Sequence, residues 1–229
     1  TENQYSKHDG SIARILNEHT HGKYVAMCEG DDYWIDPLKL QKQVDFLENN
    51  PEYTMCFHNA VVYKEEIPNV SLFNLMKYDE DLSIHDAIHK WLVPTASIVF
   101  RRDAIPNYPQ WMPRIYSGDY SLVLLALYYG KVRYLHSISS VYRLSYSTGS
   151  MSTLMKNQGM FVIQQHLFLL KAYNKGTNYI FKKEVDSRIK ELEKELHFQK
   201  AKKTKNIYYL LLSVDLIVKK GLNRLGLKG

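Results

Sequence analysis

The apolar and polar positions divide the chain into a front part of short apolar runs and a back part of long helical repeats. Thr1 to His21 is polar, with one short helical pattern around Ile12, Ile15 and Leu16. Lys23 to Cys28 is an apolar run of the kind that makes a buried strand, and it leads straight into Glu29-Gly30-Asp31-Asp32. Asp36-Pro37 predicts a helix start, with Leu40, Val44 and Leu47 on its inner face and a stop near Asn49-Asn50-Pro51. Tyr53 to Tyr63 reads as a strand and Val70 to Asp81 as irregular chain. Ser83 to Trp91 reads as a short helix capped by Ser83, and Thr95 to Phe100 as another strand. Prolines 106, 109 and 113 mark a loop around Trp111. Ser117-Gly118-Asp119 opens a strongly apolar helix, Tyr120 to Tyr129, closed by Gly130. Lys131 to Leu135 and Ser139 to Arg143 are strand-like, and Ser145 to Ser152 is a Ser/Gly-rich loop.

Beyond Thr153 the period changes. Met155 to Tyr173, Lys182 to Lys203 and Ile207 to Leu225 are helical patterns. Strands alternating with helices predict an α/β core over residues 1–152, followed by a helical C-terminal extension over 153–229.

Composition changes this picture in three places. The two cysteines, Cys28 and Cys56, cannot staple 229 residues and both lie in apolar runs, so reduced core thiols are expected. Charge is uneven. The chain carries 30 Lys+Arg against 24 Asp+Glu. From Lys171 onward there are 15 against 6, so the remainder holds 15 against 18. A mildly acidic body thus precedes a basic tail. Within it, Ile207 to Val218 is apolar, with Lys200, Lys202, Lys203 and Lys205 before it and Lys219 and Lys220 after. It is shorter than the roughly 20 residues that span a bilayer. Peripheral contact with an anionic membrane through 200–229 and a helix packed on protein stand equal, and no nucleic-acid partner is expected. The polar start at Thr1 reads as the middle of a longer protein.

The chemistry concentrates in the carboxylates. Glu29, Asp31 and Asp32 lie within four positions at a strand end, where ligands bind in α/β sheets. Like charges this close are tolerated when a cation sits between them, and oxygen ligands suit Mg²⁺ or Mn²⁺ shared with a phosphorylated substrate. Asp119, at a helix start, is a plain cap or a reactive carboxylate. His85 and His89 are four apart without a His-Glu-x-x-His pattern, so zinc is not favoured. Glycine-rich dinucleotide, P-loop and Gly-x-Ser-x-Gly motifs do not occur.

The stretch GKYVAMCEGDDYWIDPLKL, Gly22 to Leu40, resembles the metal-binding segment of family 2 glycosyltransferases: an apolar strand, an acidic turn, an aromatic, Asp-Pro and a Lys/Gln-rich helix. Ser117 to Leu135, SGDYSLVLLALYYGKVRYL, resembles the segment of the same family that carries the general base. Val141-Tyr142-Arg143 and Gly149-Ser150 resemble the Tyr-Arg and Gly-Ser stretch that follows it. The first acid is Glu29 here, and Gly118 stands where the family usually has Glu. The resemblance covers roughly residues 22–150 and lacks the first strands, which bind the nucleotide.

It implies a GT-A-like, Rossmann-like mixed sheet, incomplete at the N-terminus. It also implies inverting transfer of a sugar from a UDP-linked donor to a saccharide or lipid-linked acceptor, in bacterial surface polysaccharide synthesis. By that resemblance Asp32, Asp31 and Glu29 serve the metal. Asp31, Gly30 and Arg143 serve the donor, and Asp119 is the base. Trp34, Trp91 and Trp111 are candidate sugar platforms, with Trp111 and Trp34 assigned to the acceptor. A cytoplasmic enzyme, peripheral on the inner face of the membrane, is the implied setting. Rival readings are a metal-dependent nucleotidyltransferase and a non-catalytic membrane-surface module.

Overall fold

The computed structural model describes residues 18–64, 70–106, 108, 109, 112, 117–144 and 159–204. The chain falls into two compact units, residues 1–152 and 153–229. The pattern around Ile12, the loop at Trp111, Gly149-Ser150 and the Ile207 to Leu225 helix lie outside the described residues.

The first unit is α/β, built on a mixed sheet. Its strands are β1 (Tyr24–Ala26), β2 (Tyr33–Trp34), β3 (Tyr53–Lys64), β4 (Val70–Leu72), β5 (Glu80–Asp81), β6 (Val99–Arg101) and β7 (Lys131–Leu144). The order is β1-β6-β3-β7-β2, with β4 on β3 and β5 on β7. The long pair β3–β7 is parallel, running from Tyr53↔Lys131 to Lys64↔Leu144, and the other pairs are antiparallel. Tyr53 to Ala60 is buried without a break, the mark of a strand covered on both faces.

Among the described residues, three α-helices of more than one turn accompany the sheet: α1 (Lys39–Asn49), α2 (Ile84–His89) and α3 (Gly118–Tyr129). α3 is apolar all round, and Tyr120 to Ala126 are all buried, so it is a core helix, not an amphipathic surface one. Leu47 of α1 packs with Tyr53, Cys56 and Val99. Arg101 closes the C-terminal end of α1. Its guanidinium donates to Leu47 O and to Tyr53 O at 3.0 Å, and to the Tyr24 hydroxyl at 3.0 Å.

Several expectations need correction. The buried face of α1 is Lys39, Gln43 and Leu47, while Leu40 is exposed. The regular helix starts at Lys39, two residues later than expected, after a turn that Asp36 caps with its side chain. Asp36 accepts from Leu38 N at 2.9 Å, from Lys42 Nζ at 2.8 Å and from the Ser139 hydroxyl at 3.0 Å. Thr95 to Ser97 is a 3₁₀ turn, not strand, closed by Ser97 N–H to Pro94 O at 2.9 Å and Ile98 N–H to Thr95 O at 3.1 Å. The two strand-like runs after Gly130 are one strand whose register slips where His58↔Leu135 gives way to Asn59↔Ile138. Val70 to Asp81 contains two short strands. Cys56 is buried, but Cys28 is exposed, and both are free.

Gly130 ends α3 for reasons of space. Its φ of 177° is extended backbone, not a left-handed cap. A Cβ there would meet Thr54 Cγ2 at 2.6 Å and Glu52 O at 2.9 Å.

The second unit contains a helical hairpin of α4 (Gly159–Gly176) and α5 (Lys182–Thr204). Ile163, Leu167, Leu170 and Tyr173 of α4 are buried, as are Val185, Leu192 and Leu196 of α5. The turn between them uses left-handed Asn178 (φ 50°) and Tyr179 (φ 61°). Among the described residues no helix is long and apolar enough to cross a membrane.

Gly130→Val should destabilise the chain by about 1–3 kcal/mol, because the Glu52 carbonyl is held by Lys131 N–H at 3.0 Å and Thr54 is buried with its hydroxyl on Ala126 O at 2.8 Å. Urea unfolding of the two forms measures it, and an unchanged midpoint would remove the close-approach reading.

Candidate functional site

The acidic turn follows β1. Ala26 pairs with Val99, and Met27 N–H donates to Ile98 O at 3.0 Å, so the chain leaves the sheet only at Cys28. Asp32 N–H then donates to Glu29 O at 3.2 Å, closing a four-residue turn. Gly30 faces open space.

The turn splits its three acids. Glu29 and Asp31 are exposed, while Asp32 is 9% exposed. β7 grips this buried carboxylate: Arg143 N–H donates to Asp32 Oδ1 at 2.9 Å, and the Arg143 guanidinium donates to Asp31 O. The other oxygen, Asp32 Oδ2, is buried with no hydrogen-bond partner. Burial pushes the Asp32 pKa up to about 6, against the opposing hydrogen bond from Arg143.

Asp119 arrives from a distant part of the sequence, in the first turn of α3. Its Oδ1 accepts from Tyr120 N–H at 2.8 Å and from the Ser117 hydroxyl at 3.4 Å. Its Oδ2 accepts from the Thr95 hydroxyl at 2.8 Å. Burial lifts its pKa above the ordinary carboxylate range, with those donors opposing. Asp119 also lies close enough to Glu29 to act on it. Although Glu29 as a whole residue is exposed, desolvation of its carboxyl first, then the negative charges of Asp119, Asp32 and Asp31, raise it to about 7, while Thr95 opposes the rise. The structure therefore brings one field of negative charge together from Glu29, Asp31, Asp32 and a residue about ninety positions on.

Two residues that sequence reasoning passed over hold this arrangement. Thr95 reads as a strand residue, but the 3₁₀ turn aims its hydroxyl at Asp119. The Pro94 before it is the only local signal. Lys39 reads as a solvent-facing helix residue, yet it is 1% exposed. Its Nζ donates to Gln43 Oε1 at 2.8 Å and lies 4.3 Å from the centre of the Trp34 ring. Burial lowers its pKa to about 8.

Trp34, a candidate acceptor platform, has this ammonium on its ring and donates from Nε1 to Ala96 O at 2.9 Å. It joins the acidic turn to the turn that carries Thr95. Trp111, the other acceptor candidate, lies outside the described residues. His85, exposed, and His89, half-buried, stack at 4.3 Å on α2.

The fit of Mg²⁺ or Mn²⁺ turns on Asp32. A buried carboxylate oxygen without a partner is costly, and a hard divalent cation is a chemically matched partner for it. Among the described residues no three His, Cys, Asp or Glu side chains form a metal-holding group. One or two carboxylates completed by water and a substrate phosphate is the arrangement Mg²⁺ commonly takes. Asp32 with Asp31 or Glu29 fits that description.

The shared field is testable without any ligand. Asp119→Asn should lower the Glu29 pKa from about 7 by roughly half a unit to one unit, since it removes a like charge. Carbon-13 carboxyl titration by NMR measures it. An unmoved midpoint would mean that the two carboxylates do not share a site.

No protein-family model matches the chain. It is 38% identical over 122 residues to an uncharacterized protein of Mycobacterium bovis and to uncharacterized proteins of two strains of Mycobacterium tuberculosis. The match covers 53% of this chain and 35% of each relative, so the chain spans about a third of the length of the curated relatives it matches.

Proposed function

We propose that the chain carries the catalytic portion of a metal-dependent, inverting glycosyltransferase with a GT-A-like sheet. It would move a sugar from a UDP-linked donor to a saccharide or lipid-linked acceptor in bacterial surface polysaccharide synthesis. One observation carries the reading: Glu29 feels the negative charge both of the buried, half-unpartnered Asp32 and of Asp119, a hydrogen-bonded carboxylate from a distant helix. The order of the two resembling segments along the chain supports it further.

The resemblance suggests the roles, and the geometry supports them. Asp119 would accept the proton of the attacking acceptor hydroxyl. Its desolvated carboxylate is a stronger base than one in water. Thr95 and Tyr120 N–H fix its two oxygens, so little reorganisation is needed when the proton arrives. Asp32, with Asp31 or Glu29, would hold the divalent ion, which when bound offsets the charge of the departing diphosphate. Arg143 pins both Asp31 and Asp32 from β7. Gly30 leaves open space at the donor side of the turn.

In the full-length enzyme, Asp119→Asn should cut nucleotide release from a panel of UDP-sugars by about a hundredfold or more. Mn²⁺-dependent UDP binding should survive in that variant and be lost in Asp32→Asn. Release by Asp119→Asn at the wild-type rate would take Asp119 out of the base role.

The basic tail supports peripheral contact with an anionic membrane, where a lipid-linked acceptor would be met. Removing 205–229 should release the protein from phosphatidylglycerol vesicles. Equal co-sedimentation with and without the tail would end that part of the proposal.

A further inference from the structure

While β3 advances from His58 to Ala60, its partner β7 advances from Leu135 to Ser140. Three residues of β7, His136, Ser137 and Ser139, therefore have no opposite number on β3. All three line one recess of about 310 Å³, a size that admits a small molecule. The facing wall is a single side of α1, where Lys39, Lys42 and Gln43 recur at helical spacing. Glu29, Asp31, Asp32 and Asp119 take no part in it.

The floor of the recess is polar and buried. Lys39, Gln43, His58 and Ser139 are each 1% exposed. His58 Nδ1 lies 2.7 Å from Asn59 O. A carbonyl oxygen only accepts, so Nδ1 carries the ring proton and Nε2 presents a lone pair. That nitrogen is buried with no hydrogen-bond partner. Burial lowers the His58 pKa to about 4, with the Asn59 carbonyl opposing and the charges of Lys39 and Lys42 adding to the fall, so the ring is uncharged at neutral pH. The same recess holds two ammonium groups. Lys39 has three N–H donors, of which Gln43 Oε1 takes one at 2.8 Å. Lys42 stands at the exposed mouth, 2.8 Å from Asp36. The acids nearby are engaged. Asp36 also accepts from Leu38 N–H and the Ser139 hydroxyl, and Asp79 Oδ1 accepts His136 N–H at 2.6 Å.

One ligand group has to meet two demands here: a proton for His58 Nε2 and negatively charged oxygen for the ammonium groups. A metal ion suits a histidine lone pair, but two ammonium groups repel it. Among the described residues, moreover, no three His, Cys, Asp or Glu side chains form a metal-holding group. Carboxylate and sulfate bring charge but no proton at neutral pH, and a hydroxyl brings a proton but no charge. A phosphate group brings both, because its second pKa is about 6. We propose that the recess between α1 and the bulge of β7 binds a phosphate group, free or as the monoester of a small alcohol, with Lys39 and Lys42 donating to its oxygens and its remaining proton donated to His58 Nε2. The site is independent of the transferase reading, since it uses none of the residues given a role there.

Nitrogen-15 NMR of the histidine rings in the full-length protein reads the site directly. The titrants are inorganic phosphate, glycerol phosphate and sulfate, at neutral pH and fixed ionic strength. His58 Nε2 should start at the shift of an unprotonated ring nitrogen. At least one of the two phosphates should move it saturably toward the hydrogen-bonded range at millimolar concentration. Sulfate should bind about tenfold more weakly, because it has no proton to give. Saturation by glycerol phosphate assigns an ester as ligand, and saturation by inorganic phosphate alone assigns the free ion. Lys39→Met, which keeps the stem and removes the charge, should weaken binding about tenfold, and Lys42→Gln, at the exposed mouth, about threefold. Lys42→Gln gives this reading even where Lys39→Met fails to fold. No saturable shift at His58 with either phosphate, equal binding of sulfate, or unchanged affinity in either folded lysine variant would overturn the proposal.

Discussion

Parallel strands cannot be joined by a tight turn. Because β3 and β7 run side by side in the same direction, the chain between Lys64 and Lys131 has to leave the sheet and come back. That detour lays down everything the candidate site needs from outside the acidic turn. It adds β6 between β1 and β3, places Thr95 in the turn before β6, and delivers Asp119 at the start of α3. The return strand then runs far enough to bring Arg143 onto Asp32. The β3–β7 ladder is thus the frame against which both carboxylate groups are measured.

Within that frame the constraint is electrostatic. Glu29 lies in the field of three other carboxylates, and the fold offsets the negative charge with directed donors and with the Arg143 charge beside Asp32. Asp32 takes a backbone N–H, and Asp119 takes a backbone N–H and two hydroxyls. Trp34 links the two halves: it pairs with Ser140 of β7 and donates to Ala96, next to the Thr95 that donates to Asp119. What remains uncompensated is Asp32 Oδ2 and the raised Glu29. An unbalanced negative site of this kind suits a ligand that brings positive charge with it.

Much of the secondary structure was legible locally. Ser83 caps α2 by accepting Asp86 N–H at 3.0 Å, as its spacing suggested. The unbroken apolar run from Tyr120 declared a buried helix. The failures share a cause. Thr95 to Phe100 has strand composition, but Pro94 and the Ser97 hydroxyl bend its first half into a turn. The inner face of α1 was misjudged because an apolar criterion selects Leu40 and Val44. The packed face instead buries Lys39 and Gln43, which satisfy one another and reach Ser97 O at 2.8 Å. Polar groups that are buried because they are paired cannot be recognised from their own polarity.

By itself the sequence determined the helices and the long strand from Tyr53, the acidic turn at the end of β1 and the apolar helix behind Asp119, because these depend on neighbours a few positions away. It also carried the resemblance that suggested a chemistry. Only the tertiary structure decided which distant groups meet: Arg143 with Asp32, Thr95 with Asp119, and Asp119 with the field at Glu29. It alone decided that Lys39 is buried. The physical reason is range. Periodicity and capping act over one or two turns of chain, whereas desolvation and the summed charge of a site depend on whatever the fold packs around a group.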